Sequence, residues 1–335
     1  MMIIRWLFAA AFIFAVVVSG LFTGLENGAG LFFLILGSVA AAFMGFSLSE
    51  MGAAFRNAAG LTGPREDLSR SAYFWEAAAR NAWILGALGS ALNFTIALGG
   101  ESGGIAGISN RMIQSFIVSL YGLVLAVICL VPAMKLAGQA EKAQAAGTAG
   151  SAGAVGRGPS GRNVFERMTG YILFAAVLGL TVASLTRGTP QNGPLPLGKV
   201  LFHWPAVLVV FGGAIALALF MGAGAGGSAL TVGFAMTGLV ALFMGLIQSL
   251  FGFVHANVRE IAAGMAFVIS GSAFALIGLS VIAAPLEDRE VMNGRRGRPG
   301  PFSRMIWIVF PILVDILLLI AFIMVVTPVG KRGGM

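Results

Sequence analysis

Apolar positions along this chain fall in long blocks, and polar positions collect in the short stretches between them. Nine blocks are long enough to cross about 30 Å of hydrocarbon as helices. They cover roughly 4–22, 31–48, 81–99, 112–134, 168–186, 203–222, 230–254, 261–284 and 305–327. This pattern predicts an all-α polytopic membrane protein with about nine transmembrane helices. The first block follows Met1-Met-Ile-Ile-Arg5 and shows no clear small-x-small cleavage site, so it is expected to be a retained helix. Helical spacing continues past the second block through Ser47-Leu-Ser-Glu50 to Phe55-Arg56.

The stretches between blocks differ in kind. Residues 49–80 read as two short amphipathic helices around a Gly63-Pro64 turn, a small cytoplasmic segment. Residues 137–161 are rich in Gly, Ala and Ser and read as a flexible linker. Residues 287–303 hold Glu287-Asp-Arg-Glu290, then Arg295-Arg296-Gly-Arg298-Pro299, and read as a second, basic linker. The expected units are therefore 1–136, the linker, 162–286, the basic linker, and 304–335 with a single span.

Composition agrees with a membrane location. Hydrophobic residues make up 58% of the chain and charged residues 10%, against about 25% charged in soluble domains. The 48 glycines suit close helix contacts in lipid. The net charge of +8 sits in short loops, so it is a topology signal and not a nucleic-acid footprint. With the N-terminus inside, fifteen of the 21 Lys and Arg face the cytoplasm, and Arg111, Arg187, Lys199, Arg259, Lys331 and Arg332 lie outside. The C-terminus is then expected outside. The lone Cys129 lies within an apolar block and can form no intrachain disulfide.

One acid breaks the rule that charge stays between blocks. Thirteen acidic residues occur, and twelve fall in loops or near block ends. Asp315 lies deep in Pro311-Ile-Leu-Val-Asp315-Ile-Leu-Leu-Leu-Ile-Ala-Phe322-Ile-Met-Val-Val-Thr327-Pro328. An ionised carboxylate at mid-membrane costs about 2.5–3.5 kcal/mol on insertion scales, so it is protonated, paired or facing water. Asp315 is the candidate ion-carrying residue. The plain alternative is an acid near enough to an interface to stay wet, or bonded to a neighbouring helix.

The chain also matches itself. At an offset of 153, Met112, Ser119, Tyr121, Gly122 and Pro132 fall on Met265, Ser272, Phe274, Ala275 and Pro285. At an offset of 152, Gly86, Gly89, Ser90 and Asn93 fall on Gly238, Ala241, Leu242 and Gly245. At 177, Phe43-Met44-Gly45 falls on Phe220-Met221-Gly222. The order predicts two parallel four-helix repeats plus one C-terminal helix. The change of offset corresponds to loss of most of the 49–80 segment from the second copy.

The repeat motifs resemble the MotA/TolQ/ExbB family of ion-channel and stator subunits. Gly238-Leu-Val-Ala-Leu-Phe-Met-Gly245 is similar to the family's Gly-rich third helix, and Leu208-Val-Val-Phe-Gly212-Gly213 to its second. Gly264-Met265-Ala and Ser119-Leu-Tyr121-Gly122 are similar to its fourth. The last block resembles the single helix of the ExbD/TolR/MotB partners, with Pro311 four residues before Asp315 where the family spacing is three. The second copy departs by carrying Leu242 and Phe274-Ala275 where the family has a hydroxyl and Tyr-Gly.

The resemblance implies a bacterial inner-membrane protein in which a central aspartate takes up and releases a proton or sodium ion. It implies Ser90, Thr95, Ser119 and Ser272 as a possible polar relay, and Gly86, Gly89, Gly122, Gly238 and Gly245 as helix-packing positions. The plain alternative for each hydroxyl is a bond to its own helix backbone or to a neighbouring helix. The expected partners are membrane lipid and further copies or other membrane subunits, with no nucleic acid.

No other chemistry is expected. His203 and His255 have no nearby Cys or acid cluster, so no metal site is expected. No phosphate-binding loop or nucleophile elbow occurs, so neither a cofactor nor enzymatic activity is expected. Three classes remain: an ion-coupled energy-transducing subunit, a non-conducting structural subunit that keeps the same fold, and a small-solute transporter. The last would need a polar midplane cavity, for which the sequence supplies few groups.

Overall fold

A computed structural model describes residues 28–60, 67–99, 104–145, 164–186, 203–221, 226–255, 258–292 and 301–332. The first expected span, 4–22, lies outside the described residues. So does most of the Gly/Ala linker.

Every regular element among the described residues is helical. In chain order these are α1 (Gly28–Gly45), α2 (Leu48–Ala58), α3 (Asp67–Gly99), α4 (Gly104–Ala145) and α5 (Val164–Thr186). Then come α6 (Trp204–Val207), a π turn (Leu208–Gly212), α7 (Gly213–Met221), α8 (Gly226–Val254) and α9 (Val258–Ile277). A second π turn (Gly278–Ala283), α10 (Ala284–Met292) and α11 (Pro301–Arg332) complete the described elements.

Four helices among the described residues are long and apolar enough to cross a membrane: Met112–Lys142, Gly227–Val254, Ala263–Met292 and Arg304–Ala321. A fifth is added if Gly30–Gly45 and Leu48–Ala58, bent by 116°, count as one broken span. Met168–Thr181 and Trp204–Leu219 are shorter apolar helices. The helix α3 has the length to span, but its first half carries Arg70, Glu76 and Arg80. The multi-pass, all-helical expectation therefore holds at this coarser count.

Local chemistry sets several boundaries. A capping box starts α2: Glu50 N donates to Ser47 Oγ at 3.3 Å, and Ser47 N donates to Glu50 Oε2 at 2.8 Å. After α2 the chain turns at Gly60, whose φ of 79° lies in the left-handed region that glycine enters without steric cost. The helix α4 runs to Ala145, into the stretch read as a flexible linker. Its sequence there, Gln139-Ala-Glu-Lys142-Ala-Gln-Ala, is made of strong helix formers. Likewise α10 occupies 284–292, so the first part of the expected basic linker is ordered helix. The second π turn widens the helix just ahead of Pro285, which has no N–H to donate.

The packing is built from antiparallel pairs. In the first, α3 meets α4 at Gly86 and Gly122: a Cβ on Gly122 would lie 2.6 Å from Gly86 Cα. Only hydrogen at both positions allows this backbone approach. One turn on, Gly89 makes room for Val118. In the second pair, α8 meets α9 where Gly238 faces the methyl of Ala275 and Ala241 faces Gly271. Further along, Gly245 seats the backbone of Gly264, since a Cβ there would lie 2.7 Å from Gly264 O. A third contact sets Gly170 of α5 on the backbone of α1 at Phe43 and Met44.

The last helix, α11, touches α3, α4, α8 and α9. Phe310, Val314, Leu317, Leu318 and Ala321 form its buried stripe at helical spacing. These side chains join one continuous core with Phe33, Leu85 and Leu88 on one side and Phe234, Leu242 and Leu276 on the other.

Candidate functional site

Asp315 sits at the edge of the buried stripe of α11, next to Val314, and is half-buried. Ser119 Oγ on α4 donates to Asp315 Oδ1 at 3.1 Å. The Gly86–Gly122 contact explains how this hydroxyl comes to be there. In the antiparallel pair, Ser119 precedes Gly122 by one turn and Ser90 follows Gly86 by one turn. Both hydroxyls therefore project from the same level, and both are buried. Ser90 interacts with the Asp315 carboxylate but makes no hydrogen bond of standard geometry. The result is one carboxyl group flanked by two buried hydroxyls from two different helices, inside an apolar wall.

The other relay candidates lie elsewhere. Ser272, the repeat counterpart of Ser119, is fully buried and donates to Ile269 O of its own helix at 2.9 Å. Leu242, the counterpart of Ser90, is fully buried core. The side chain of Thr95 lies outside the described residues. Thr181, Thr231, Thr237 and Ser249 also bond backbone carbonyls within their own helices. That is the usual fate of hydroxyls in apolar helices. Among the described residues, only the first half of the chain brings a hydroxyl to the carboxyl group.

A second polar centre lies closer to the start of α11, at Trp307. Arg80 of α3 donates from Nη2 to both carboxylate oxygens of Asp288 of α10, at 2.7 and 2.8 Å. Tyr73 donates its hydroxyl to Asp288 Oδ1 at 2.8 Å. Next to it, Glu287 Oε2 accepts from Trp307 Nε1 of α11 at 3.1 Å and from Thr231 Oγ1 of α8 at 3.2 Å. The Arg80 guanidinium lies 4.6 Å from the centre of the Trp307 ring and 4.0 Å from Glu287. All three charged side chains are at least nine-tenths buried.

Burial disfavours the Arg80 charge, but Asp288, Tyr73 and Glu287 outweigh it and hold the guanidinium protonated beyond its ordinary range. Burial pushes the Tyr73 hydroxyl up, and the Asp288 charge adds to this, so Tyr73 stays a donor. Charged partners bonded this closely in a buried site interact strongly.

The two centres are linked through α11. Trp307, Pro311 and Asp315 recur every fourth residue on one edge of the helix, so Asp315 stands about 12 Å along the axis from Trp307. Sequence reading placed Glu287 and Asp288 in a linker and Arg80 in a loop, and missed the centre. The available signal was the acid pair immediately after an apolar span, where the helix continues past Pro285.

The histidines form no centre. His203 is half-buried edge-on to Phe267 at 5.2 Å, Trp204 beside it is exposed, and His255 Nδ1 bonds Phe251 O at 2.8 Å. Among the described residues no group of three or more His, Cys, Asp or Glu could hold a metal ion. No protein-family model, curated protein or solved structure matches the chain.

Proposed function

We propose that this protein is a membrane subunit of an ion-motive-force-coupled energy-transducing complex, in which Asp315 binds and releases the coupling ion. The observation that carries the reading is the Ser119–Asp315 hydrogen bond within an apolar span. A carboxyl group there has a polar partner in its charged state and an apolar wall in its neutral one. Its side chain is not fully enclosed, which leaves a route for exchange.

On this reading the chain has nine spans, with the N-terminus in the cytoplasm of a bacterial cell and the C-terminus outside its inner membrane. It contains two four-helix modules of the MotA/TolQ/ExbB type and one ExbD-like helix. Support for the duplication comes from equivalent positions doing equivalent work. Gly86 meets Gly122, and their counterparts Gly238 and Ala275 meet; Gly89 meets Val118, and Ala241 meets Gly271. The partners are lipid and either further copies of this chain or other membrane subunits. The proposed function includes no catalysis and no cofactor.

A second reading is favoured by the buried Arg80–Asp288–Glu287–Trp307 centre, which ties α11 to α3, α8 and α10. A helix held this way suits a non-conducting structural subunit that retains the fold.

The test is reconstitution of the complex into liposomes with an internal pH indicator and a series of sodium gradients. Ion flux that disappears in Asp315→Asn while the complex stays intact supports the first reading. Flux equal to wild type in that variant sinks it. No flux from either protein, with normal assembly of both, favours the structural subunit.

A further inference from the structure

The helix α2 has no task in either proposed role, and its geometry points outward. The chain bends by 116° between α1 and α2. With α1 along the bilayer normal, α2 therefore lies about 26° from the membrane plane, tipped back towards the membrane. One face of α2 is buried against the protein through Ala54, Asn57 and Ala58. The Asn57 side chain donates to Ser71 Oγ at 2.9 Å, and Trp75 Nε1 donates to Ala54 O at 3.2 Å, so this face is fixed.

The opposite face is exposed and amphipathic. Leu48, Gly52 and Phe55 recur at i, i+4 and i+7 and form one narrow apolar stripe. Leu48 is 55% exposed and Phe55 57%. Ser49 and Arg56, also exposed, border the stripe on one side. Phe55 keeps an edge-on contact with Trp75 at 4.9 Å, and Trp at the end of a span is a common marker of the membrane–water boundary. The preceding helix α1 also exposes an apolar face, with Leu31, Phe32, Ile35 and Val39.

We infer that α2 is an in-plane helix that rests in the headgroup–acyl boundary of the bilayer through Leu48 and Phe55. The occupant is phospholipid, reached by apolar burial. Charge does not drive it: between residues 48 and 76 the sequence holds three arginines, Arg56, Arg65 and Arg70, and four acids, Glu50, Glu66, Asp67 and Glu76. Anchored at one end by the bend and along one face by α3, the helix sets the depth of the first half of the chain. This inference is independent of whether Asp315 carries an ion.

The test uses the full-length protein in phosphatidylcholine nanodiscs, with a spin label at Phe55→Cys in a Cys129→Ala background. The label at 55 is expected to collide with oxygen several-fold more readily than with a water-soluble nickel chelate. A label at Ser49→Cys should show the reverse. Leu48→Cys provides a second apolar position should the first variant fold poorly. A label at 48 or 55 that meets mainly the nickel chelate overturns the inference in favour of water. Exclusion from both reagents overturns it in favour of a protein partner. Replacing a third of the lipid with an anionic species should leave the depth unchanged; a deeper label would overturn the apolar basis.

Discussion

Ser119 and Asp315, 196 residues apart, meet at 3.1 Å and join the fourth helix to the last in mid-span. The bond depends on Gly86 and Gly122, which bring α3 and α4 into backbone contact at that level. It is also the only carboxylate contact shown by a candidate relay hydroxyl with hydrogen-bond geometry among the described residues.

Removing that hydroxyl should impair ion transfer without unfolding the protein. A hydrogen bond to a charged group contributes about 1.5–3 kcal/mol, so Ser119→Ala should lower flux by roughly tenfold or more. Ser119→Thr keeps a hydroxyl and should retain most of it. Ser272→Ala should leave flux unchanged, because Ser272 bonds Ile269 of its own helix. Equal losses from Ser119→Ala and Ser272→Ala would remove the distinction between the two halves.

The Arg80 centre should govern stability more than transport. Arg80→Met leaves Glu287 and Asp288 buried without their guanidinium, and breaking a buried pair from one side costs about 3–5 kcal/mol. Thermal unfolding in mild detergent should show a large drop in midpoint. Arg80→Met combined with Asp288→Leu should be less destabilised than the sum of the two single changes, since the pair is then removed together. Additive losses would mean the two side chains are not coupled.

The helix contacts make a sharper test of packing. Gly238→Ala places a methyl against that of Ala275, and overpacking of this kind costs about 1–3 kcal/mol. Adding Ala275→Gly should recover part of the midpoint, since the new methyl would still lie 2.9 Å from Phe310 Cζ. Gly86→Ala has no such remedy, because the opposing residue is already Gly122. A Gly238→Ala variant as stable as wild type would contradict the observed contact.

Much of the fold could be read from the chain because lipid imposes a simple rule: apolar blocks become helices. Asp315 stood out by the same rule, as a charge in the wrong place. Ser119 was legible only through the repeat and the family resemblance, and nothing in its own neighbourhood separated it from Ser272. The difference between them is tertiary, since α11 passes beside α4 at Ser119 while Ser272 faces its own backbone. The Arg80 centre was hidden for another reason. Charges at block ends read as wet, and only the continuation of α10 past Pro285 carries Glu287 and Asp288 into the interior, where Arg80 and Trp307 meet them.

The central claim is that the Asp315 carboxylate exchanges ions within the membrane, and uptake of a proton on acidification is the form of that exchange open to spectroscopy. Infrared difference spectra of the lipid-reconstituted protein, recorded as pH is lowered through the neutral and mildly acidic range, read this directly. A carboxylic-acid C=O band should grow on acidification in wild type and be missing from Asp315→Asn, while Glu287→Gln leaves it in place. A wild-type spectrum reproduced unchanged by Asp315→Asn would show that this carboxyl group takes up no proton in that range and would contradict the account.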